Sequence, residues 1–287
     1  MKNFLYLLFA VIVTITLTSA VLKTTGSLKS ITLQSTGKNS DPAAMNKSAE
    51  IIKARLKLFG IVSSEVKVSS GNGQLIVLLP DNTDVSDVER LFTLKGGISF
   101  YETYTHSEIA DLLKSDTKLI SLLNQDQQKS SNDPRVGCTN DADHKKTDEY
   151  LLSMSPIKKC KLSWGAESIK SGNCLFALKT NENGNCLLKR SDIDSVTIAK
   201  TRDMQDIKIQ IKLNSAGAKI FAEATKRNIH KSIAVVFDDK VYSWPVVQDA
   251  IEGGRIEVTG DFTENEAKYF PVIFNTAEMP LSFQIIK

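Results

Sequence analysis

The sequence predicts an α+β fold, and three observations predict it. Residues 28–105 read in the order β-α-β-β-α-β. A similar pattern of strand signals and helical stripes returns from about residue 193. Between them, residues 106–190 are polar and hold all four cysteines. The 287 residues are 41% hydrophobic and 24% charged, ordinary globular values that exclude a wholly disordered or collagen-like chain. That length suggests two domains, or one domain with an elaborate insertion.

The first element is apolar. Lys2 precedes an uncharged stretch from Phe4 to Leu22, and Lys23 closes it. Its nineteen residues approach the ~20 that span a bilayer as a helix. The same stretch ends in Thr18-Ser19-Ala20, small residues that a signal peptidase accepts. Residues 1–23 are therefore a transmembrane anchor or a cleaved signal, and either one exports the rest. The first cysteine is Cys138, which excludes a lipid-modified cysteine next to the apolar run.

Residues 28–36 read as a strand. Asp41-Pro42 opens a helix, with a capping carboxylate and proline in the first turn. Met45, Ala49, Ile52, Leu56 and Phe59 form one helical stripe, stopped by Gly60. Val66 and Val68 alternate in a short strand, Gly71-Asn72-Gly73 turns, and Leu75–Leu79 returns as a strand. Val85, Val88 and Phe92 mark a second helix ending at Gly96-Gly97. Ile98–Tyr104 is read as the last strand of this unit. The order is the ferredoxin-like βαββαβ arrangement, an antiparallel sheet with both helices on one face. Residues 28–105 are assigned to this base.

In 106–190, Ile109, Leu112, Leu113, Leu119, Ile120 and Leu123 predict one amphipathic helix. Gln125–Asp148 reads as an exposed loop. Cys138, Cys160, Cys174 and Cys186 follow export logic: an even number in an oxidising compartment favours disulfides. Four cysteines allow three pairings, and spacing chooses none of them. Zinc is disfavoured, because there is no Cys-x-x-Cys pair and the nearby histidine is His144 alone. The segment is read as an insertion stapled by disulfides, without a separate core.

In 191–287, Val196–Ala199 and the cleanly alternating Ile207–Leu213 are strands. Ser215 is the expected cap of a helix through Ala218, Phe221, Ala222 and Thr225. Ser232–Phe237 and Val241–Val247 make a hairpin around Asp238-Asp239-Lys240. Gly253-Gly254 precedes a strand from Arg255 to Thr259. Thr263 and Glu266 form a capping box. Leu281–Ile286 is a final strand.

The chemistry-bearing motifs are few. Net charge is +3, and each of the four segments 1–23, 24–105, 106–190 and 191–287 lies between −2 and +2. A nucleic-acid groove has no electrostatic footprint in such a chain. His106, His144 and His230 stand outside any catalytic spacing, and no P-loop, nucleophile elbow or Rossmann glycine pattern occurs. No enzymatic activity, cofactor or metal is expected. Asp238-Asp239 reads as turn chemistry at a hairpin tip. Tyr242 and Trp244 share a face if the strand alternates, and with Pro245 they are the candidate surface for an extended polypeptide.

The residues from Gly217-Ala218 through Phe221 to Thr225 resemble the first periplasmic domain of the SecD protein-export family, especially its head. Ile233-Ala234, Asp238, Val241 and Trp244-Pro245 continue the likeness. So do Gly253-Gly254, Gly260, Phe262-Thr263, Glu266-Ala267 and Met279-Pro280, in order and spacing. Ala49–Gly60, Leu75–Pro80 and Gly97–Phe100 look like the base of that domain. The resemblance covers about two thirds of the chain. It implies a SecD-like head over 191–287 and an inner-membrane protein with one N-terminal anchor and a periplasmic domain, or a periplasmic one if cleaved. It also implies as partners a translocating or unfolded polypeptide, or Sec translocase components. Two departures stand out. The family's Asp-Leu-x-Gly-Gly motif is absent near residues 26–37, and 138–186 do not align. Lys287 falls about where the family's next transmembrane helix begins, so the chain is read as a truncated form. Such a form lacks intramembrane carboxylates and cannot by itself run on protons. The expected function is non-catalytic binding accessory to export; the alternative is a stand-alone envelope interaction module.

Overall fold

The structure, a computed structural model, describes residues 27–37, 41–69, 72–113, 116–124, 131–166, 173–200, 207–259 and 262–286. The expected N-terminal anchor or signal helix lies outside the described residues, as does Gly71 of the expected turn.

The base begins with β1 (Leu28–Ser35) and α1 (Pro42–Phe59). The Asp41 carboxylate accepts the Ala44 amide and Pro42 occupies the first turn, so the helix starts where the sequence says. Gly60, at φ 101°, ends it in the left-handed conformation glycine adopts freely. Met45, Ala49, Ile52 and Leu56 are its buried stripe. β2 (Glu65–Ser69) and β3 (Gln74–Pro80) follow as a hairpin, and α2 (Val85–Thr93) buries Val88, Leu91 and Phe92.

The chain then leaves the base. β4 (Ile98–Glu102) leads into α3 (His106–Leu113), α4 (Thr117–Leu122), β5 (Arg135–Cys138), α5 (Asp141–Ser153), β6 (Cys160–Trp164) and β7 (Cys174–Lys179). The single helix expected over 109–123 is two, because Asp116 caps a new helix by accepting the Leu119 amide. The loop expected over 125–148 contains β5 and the start of α5. Helix α5 buries only Thr147 and so has no apolar stripe to mark it in the sequence. The insertion also has its own core, contrary to expectation. Ile109, Leu113, Leu119, Val136, Trp164, Leu175 and Ala177 pack together over a sheet ordered β5-β7-β6. Alternation along β7 puts Leu175 and Ala177 in that core and Cys174, Phe176 and Leu178 on the opposite face.

Of the four candidate cysteines, Cys138 and Cys174 face each other across β5 and β7 and form a disulfide. Cys160 and Cys186 are free thiols, and topology explains why. Cys160 packs on the insertion core, whereas Cys186 packs on the other face of the sheet.

β8 (Leu188–Lys189) and a short 3-10 turn return the chain to β9 (Ile193–Lys200) and β10 (Ile207–Leu213). Then come α6 (Ser215–Arg227), β11 (Ile233–Phe237), β12 (Lys240–Ser243), β13 (Arg255–Thr259), α7 (Glu264–Phe274) and β14 (Phe283–Ile285). The cap of α6 is Asn214, not Ser215: its Oδ1 accepts the Gly217 amide at 2.9 Å. Thr263 and Glu266 form the expected box at the start of α7.

Two more sheets result, β13-β10-β9 and β12-β11-β4-β8. The latter is the middle layer of the molecule. Ile98, Phe100, Ile233, Val235 and Phe237 face the large core shared with the base. Tyr101, Ala234, Val236 and Val241 face a third cluster under the insertion. All five residues of β11 are buried because both of its faces are covered.

This placement corrects the base. Its sheet is ordered β14-β1-β3-β2, all neighbours antiparallel, which is the ferredoxin-like order. The fourth strand is β14, however, and not the expected Ile98–Tyr104. The two strands are suited to different places. β4 carries apolar residues on both faces and fits a two-sided layer. Phe283-Gln284-Ile285 has one buried residue and an exposed glutamine, and fits an edge.

Candidate functional site

The three parts of the molecule meet at the turn between β11 and β12. Asp238 and Asp239 both have positive φ there, 43° and 67°. Sequence reasoning gave them a local role. The structure gives each a long-range one.

Asp238 points into the base. Its Oδ1 accepts the amides of Gly96 at 2.9 Å and Gly97 at 2.6 Å. Burial raises its pKa from the ordinary value, while those amides and the Arg55 charge pull it back down. Beneath the loop, Arg55 is fully buried. Its Nη1 donates to the carbonyls of Leu91 (3.0 Å) and Leu94 (2.5 Å), its Nη2 to that of Lys95 (2.7 Å), and its Nε to Thr276 Oγ1 (3.1 Å). Desolvation lowers its pKa to about 10, opposed by Asp238 and Glu278. Gly96 sits at φ 89°, and a Cβ there would lie 2.8 Å from Arg55 Nη2. Only glycine fits between the arginine and the aspartate.

Asp239 points the other way, into the insertion. Its side chain is 84% exposed and pairs with Lys161, whose ammonium lies 5.5 Å from the Tyr101 ring centre. Ser163 Oγ donates to the Asp239 carbonyl.

Beside this turn opens a cleft of about 530 Å³, lined among others by Arg90, Lys95, Arg190, Tyr242, Tyr269 and Glu278. Tyr242 supplies its aromatic wall, 4.8 Å from Phe237 and 5.6 Å from Phe270 between ring centres. Burial, with the nearby Glu266 charge, holds the hydroxyls of Tyr242 and Tyr269 well above the usual tyrosine range. They are therefore neutral hydrogen-bonding groups at any physiological pH. A second hollow of about 440 Å³ shares Arg90, Glu266 and Tyr269 with the first. Together they offer aromatic surface edged by both charge signs, which suits an amphipathic chain.

The three candidate polypeptide-binding residues are not brought together. β12 ends at Ser243, so the alternation that put Tyr242 and Trp244 on one face stops between them. A register shift between Val235 and Val236 accompanies this. Tyr242 joins the core shared with the base. Trp244 lies half-buried in the cluster under the insertion, 4.7 Å from Phe176. Pro245 is exposed, and its carbonyl accepts the Ile233 amide at 3.2 Å.

Reactive groups are sparse. No cluster of three or more His, Cys, Asp or Glu is placed to hold a metal among the described residues. Burial pushes the Cys160 thiol up to about 12 and raises that of Cys186. Among the described residues, no helix is long and apolar enough to cross a membrane.

Residues 176–281 match the family described as SecDF, P1 head subdomain. The protein translocase subunit SecD of Calditerrivibrio nitroreducens is 25% identical over 85% of this chain and 40% of its own length. That of Rhodothermus marinus is 26% identical over 85% of this chain and 46% of its own. The chain thus spans less than half the length of these relatives. Two solved structures share the fold. SecDF in its super-membrane-facing form has a TM-score of 0.55 at 18% identity, over 91% of this chain and 29% of its own. A chain from the structure of SecDF described as a membrane component that enhances protein export has a TM-score of 0.53 at 17% identity, over 90% of this chain and 98% of its own. The match to the head over 176–281, the relatives along most of the chain and the shared fold agree: this chain is similar to the SecD proteins and has the fold of the matching part of SecDF.

Proposed function

We propose that this domain binds translocating polypeptide or a Sec translocase component, as a non-catalytic accessory to protein export on the periplasmic side of the inner membrane. The observation that supports this reading is the cleft beside Asp238. It has an aromatic wall at Tyr242 and Tyr269, rims of both charge signs, and a floor fixed to the base through Arg55. Such a surface holds chain segments through apolar, sequence-tolerant contact. Trp244 and Pro245 do not line the cleft and offer a separate apolar contact on the other side of the hairpin.

The test is photo-crosslinking in cells, with a crosslinking amino acid at Tyr242 or Lys240 in the cleft and a control at Leu152, which is 87% exposed on α5. Recovery of Sec channel components with diverse exported proteins from the cleft positions alone is the expected result. Recovery of one defined envelope protein without Sec components replaces the proposal with the interaction-module reading. Equal recovery at Leu152 overturns both.

A further inference from the structure

The sheet β13-β10-β9 has two edges, and the fold treats them differently. On the β9 side, the Asn275 side chain closes the edge. Its Oδ1 accepts the Val196 amide at 3.0 Å and its Nδ2 donates to the Val196 carbonyl at 2.6 Å. One carboxamide thereby replaces a neighbouring strand.

The β13 side has no such cover along Arg255 and Glu257 among the described residues. The Leu213 amide donates to the Gly254 carbonyl, and β10 pairs with β13 at Ile211–Ile256 and Ile209–Val258. That parity turns the backbone groups of Ile256 and Val258 toward β10. It turns those of Arg255, Glu257 and Thr259 away from the sheet. The Thr259 carbonyl accepts Ser243 Oγ at 3.0 Å. The amides of all three residues, and the carbonyls of Arg255 and Glu257, have no partner among the described residues. All three residues are exposed. A hollow of about 340 Å³ over the outer face of the sheet runs up to this edge, lined by Gln210, Lys212, Arg255 and Glu257 among others.

We propose that the β13 edge takes up an extended polypeptide segment as an added strand. A row of donors and acceptors at two-residue spacing is complementary to a strand and to no small ligand. Recognition through the backbone is blind to sequence, and the side chains of the added strand find room in the adjoining hollow. The edge residues Arg255, Glu257 and Thr259 do not line the cleft of the preceding section, and neither site requires the other.

The probe is reduced, carboxymethylated α-lactalbumin, a permanently unfolded protein, added to the full chain in detergent. Hydrogen exchange is expected to slow at the amides of Arg255, Glu257 and Thr259, with Ile256 and Val258 already protected in the free protein. Glu257→Pro removes an outward N–H and no ladder bond, so it is expected to weaken binding roughly five-fold, with Glu257→Ala near wild type. Absence of binding, or protection without this alternation, overturns the proposal. So does full affinity in a folded Glu257→Pro variant. If that variant fails to fold, the exchange pattern of the unaltered chain decides. A Tyr242→Ala variant that binds more weakly while keeping the alternating protection upholds both sites. Weakening by Tyr242→Ala with no protection on β13 upholds the cleft alone.

Discussion

The base side and the insertion side of the β11–β12 turn are held by neighbouring aspartates, and they are held in opposite ways. Toward the base, Asp238 is desolvated, accepts two backbone amides and lies over a buried arginine. Toward the insertion, Asp239 is in water and pairs with a lysine that is itself partly exposed. Two identical side chains, adjacent in sequence, therefore differ in what their loss costs. A buried group that loses its partner keeps its full desolvation penalty, whereas a solvated ion pair exchanges its partner for water. The base and the middle sheet share an apolar core and are joined in addition by polar groups with no alternative partner. The insertion is joined by apolar packing, with surface charge adding little.

Four variants break or sharpen this contrast. Arg55→Ala strands the carbonyls of Leu91, Leu94 and Lys95 and leaves a cavity, at a cost of about 4 kcal/mol in urea unfolding. A loss below about 1 kcal/mol would remove the base side's claim to be the stiffer one. Replacing Cys138 and Cys174 by serine opens a link between residues 36 apart in sequence, worth about 3–4 kcal/mol by chain entropy. Its effect should stay on the insertion side: hydrogen exchange should rise over β5 and β7, with the Gly96 and Gly97 amides unchanged. Asp238→Ala leaves those two amides buried without an acceptor and should cost about 2 kcal/mol. Asp239→Ala should cost less than about 1 kcal/mol, and less still in high salt. Equal costs for the two alanine variants would erase the distinction between the sides.

The elements whose local signals were strong were legible in the sequence. Asp41-Pro42, the stripe from Met45 to Phe59 and the Thr263–Glu266 box are structured as read, because caps and helical periodicity are local. Strand membership is not local. Ile98–Tyr104 is read as a strand, but nothing in its residues names the neighbour, and the strand found there, Ile98–Glu102, lies in the middle sheet. Helix α5 was missed for want of an apolar stripe, although Asn140 at its cap and Asp141 and Asp143 in its first turn carried a signal. At the site, Tyr242 was found through its aromatic character. Its expected neighbour Trp244 was separated from it by the end of β12. Arg55 and Gly96 read in the sequence only as part of a helix and as the stop of the next one, because their importance arises from residues far apart in the chain. A charged residue beside the stripe of α1 and a glycine pair after α2 become a single unit only when Asp238 arrives from the head.

The strand that closes the base has a consequence for how the chain acquires its shape. Leu33 of β1 pairs with Ile285 of β14, roughly 250 residues away in sequence. The middle sheet and the insertion are nested inside that loop. Residues 28–93 can collapse early, but their sheet has no fourth strand until residue 285 has been delivered to the same compartment. Until then β1 exposes an unpaired edge, a template for pairing with another chain. Closing so long a loop costs little more than closing one of half the length, since the entropy grows only logarithmically. The penalty falls on time instead. Addition of β14 should be the last and slowest step of folding, and the interval before it is when aggregation competes.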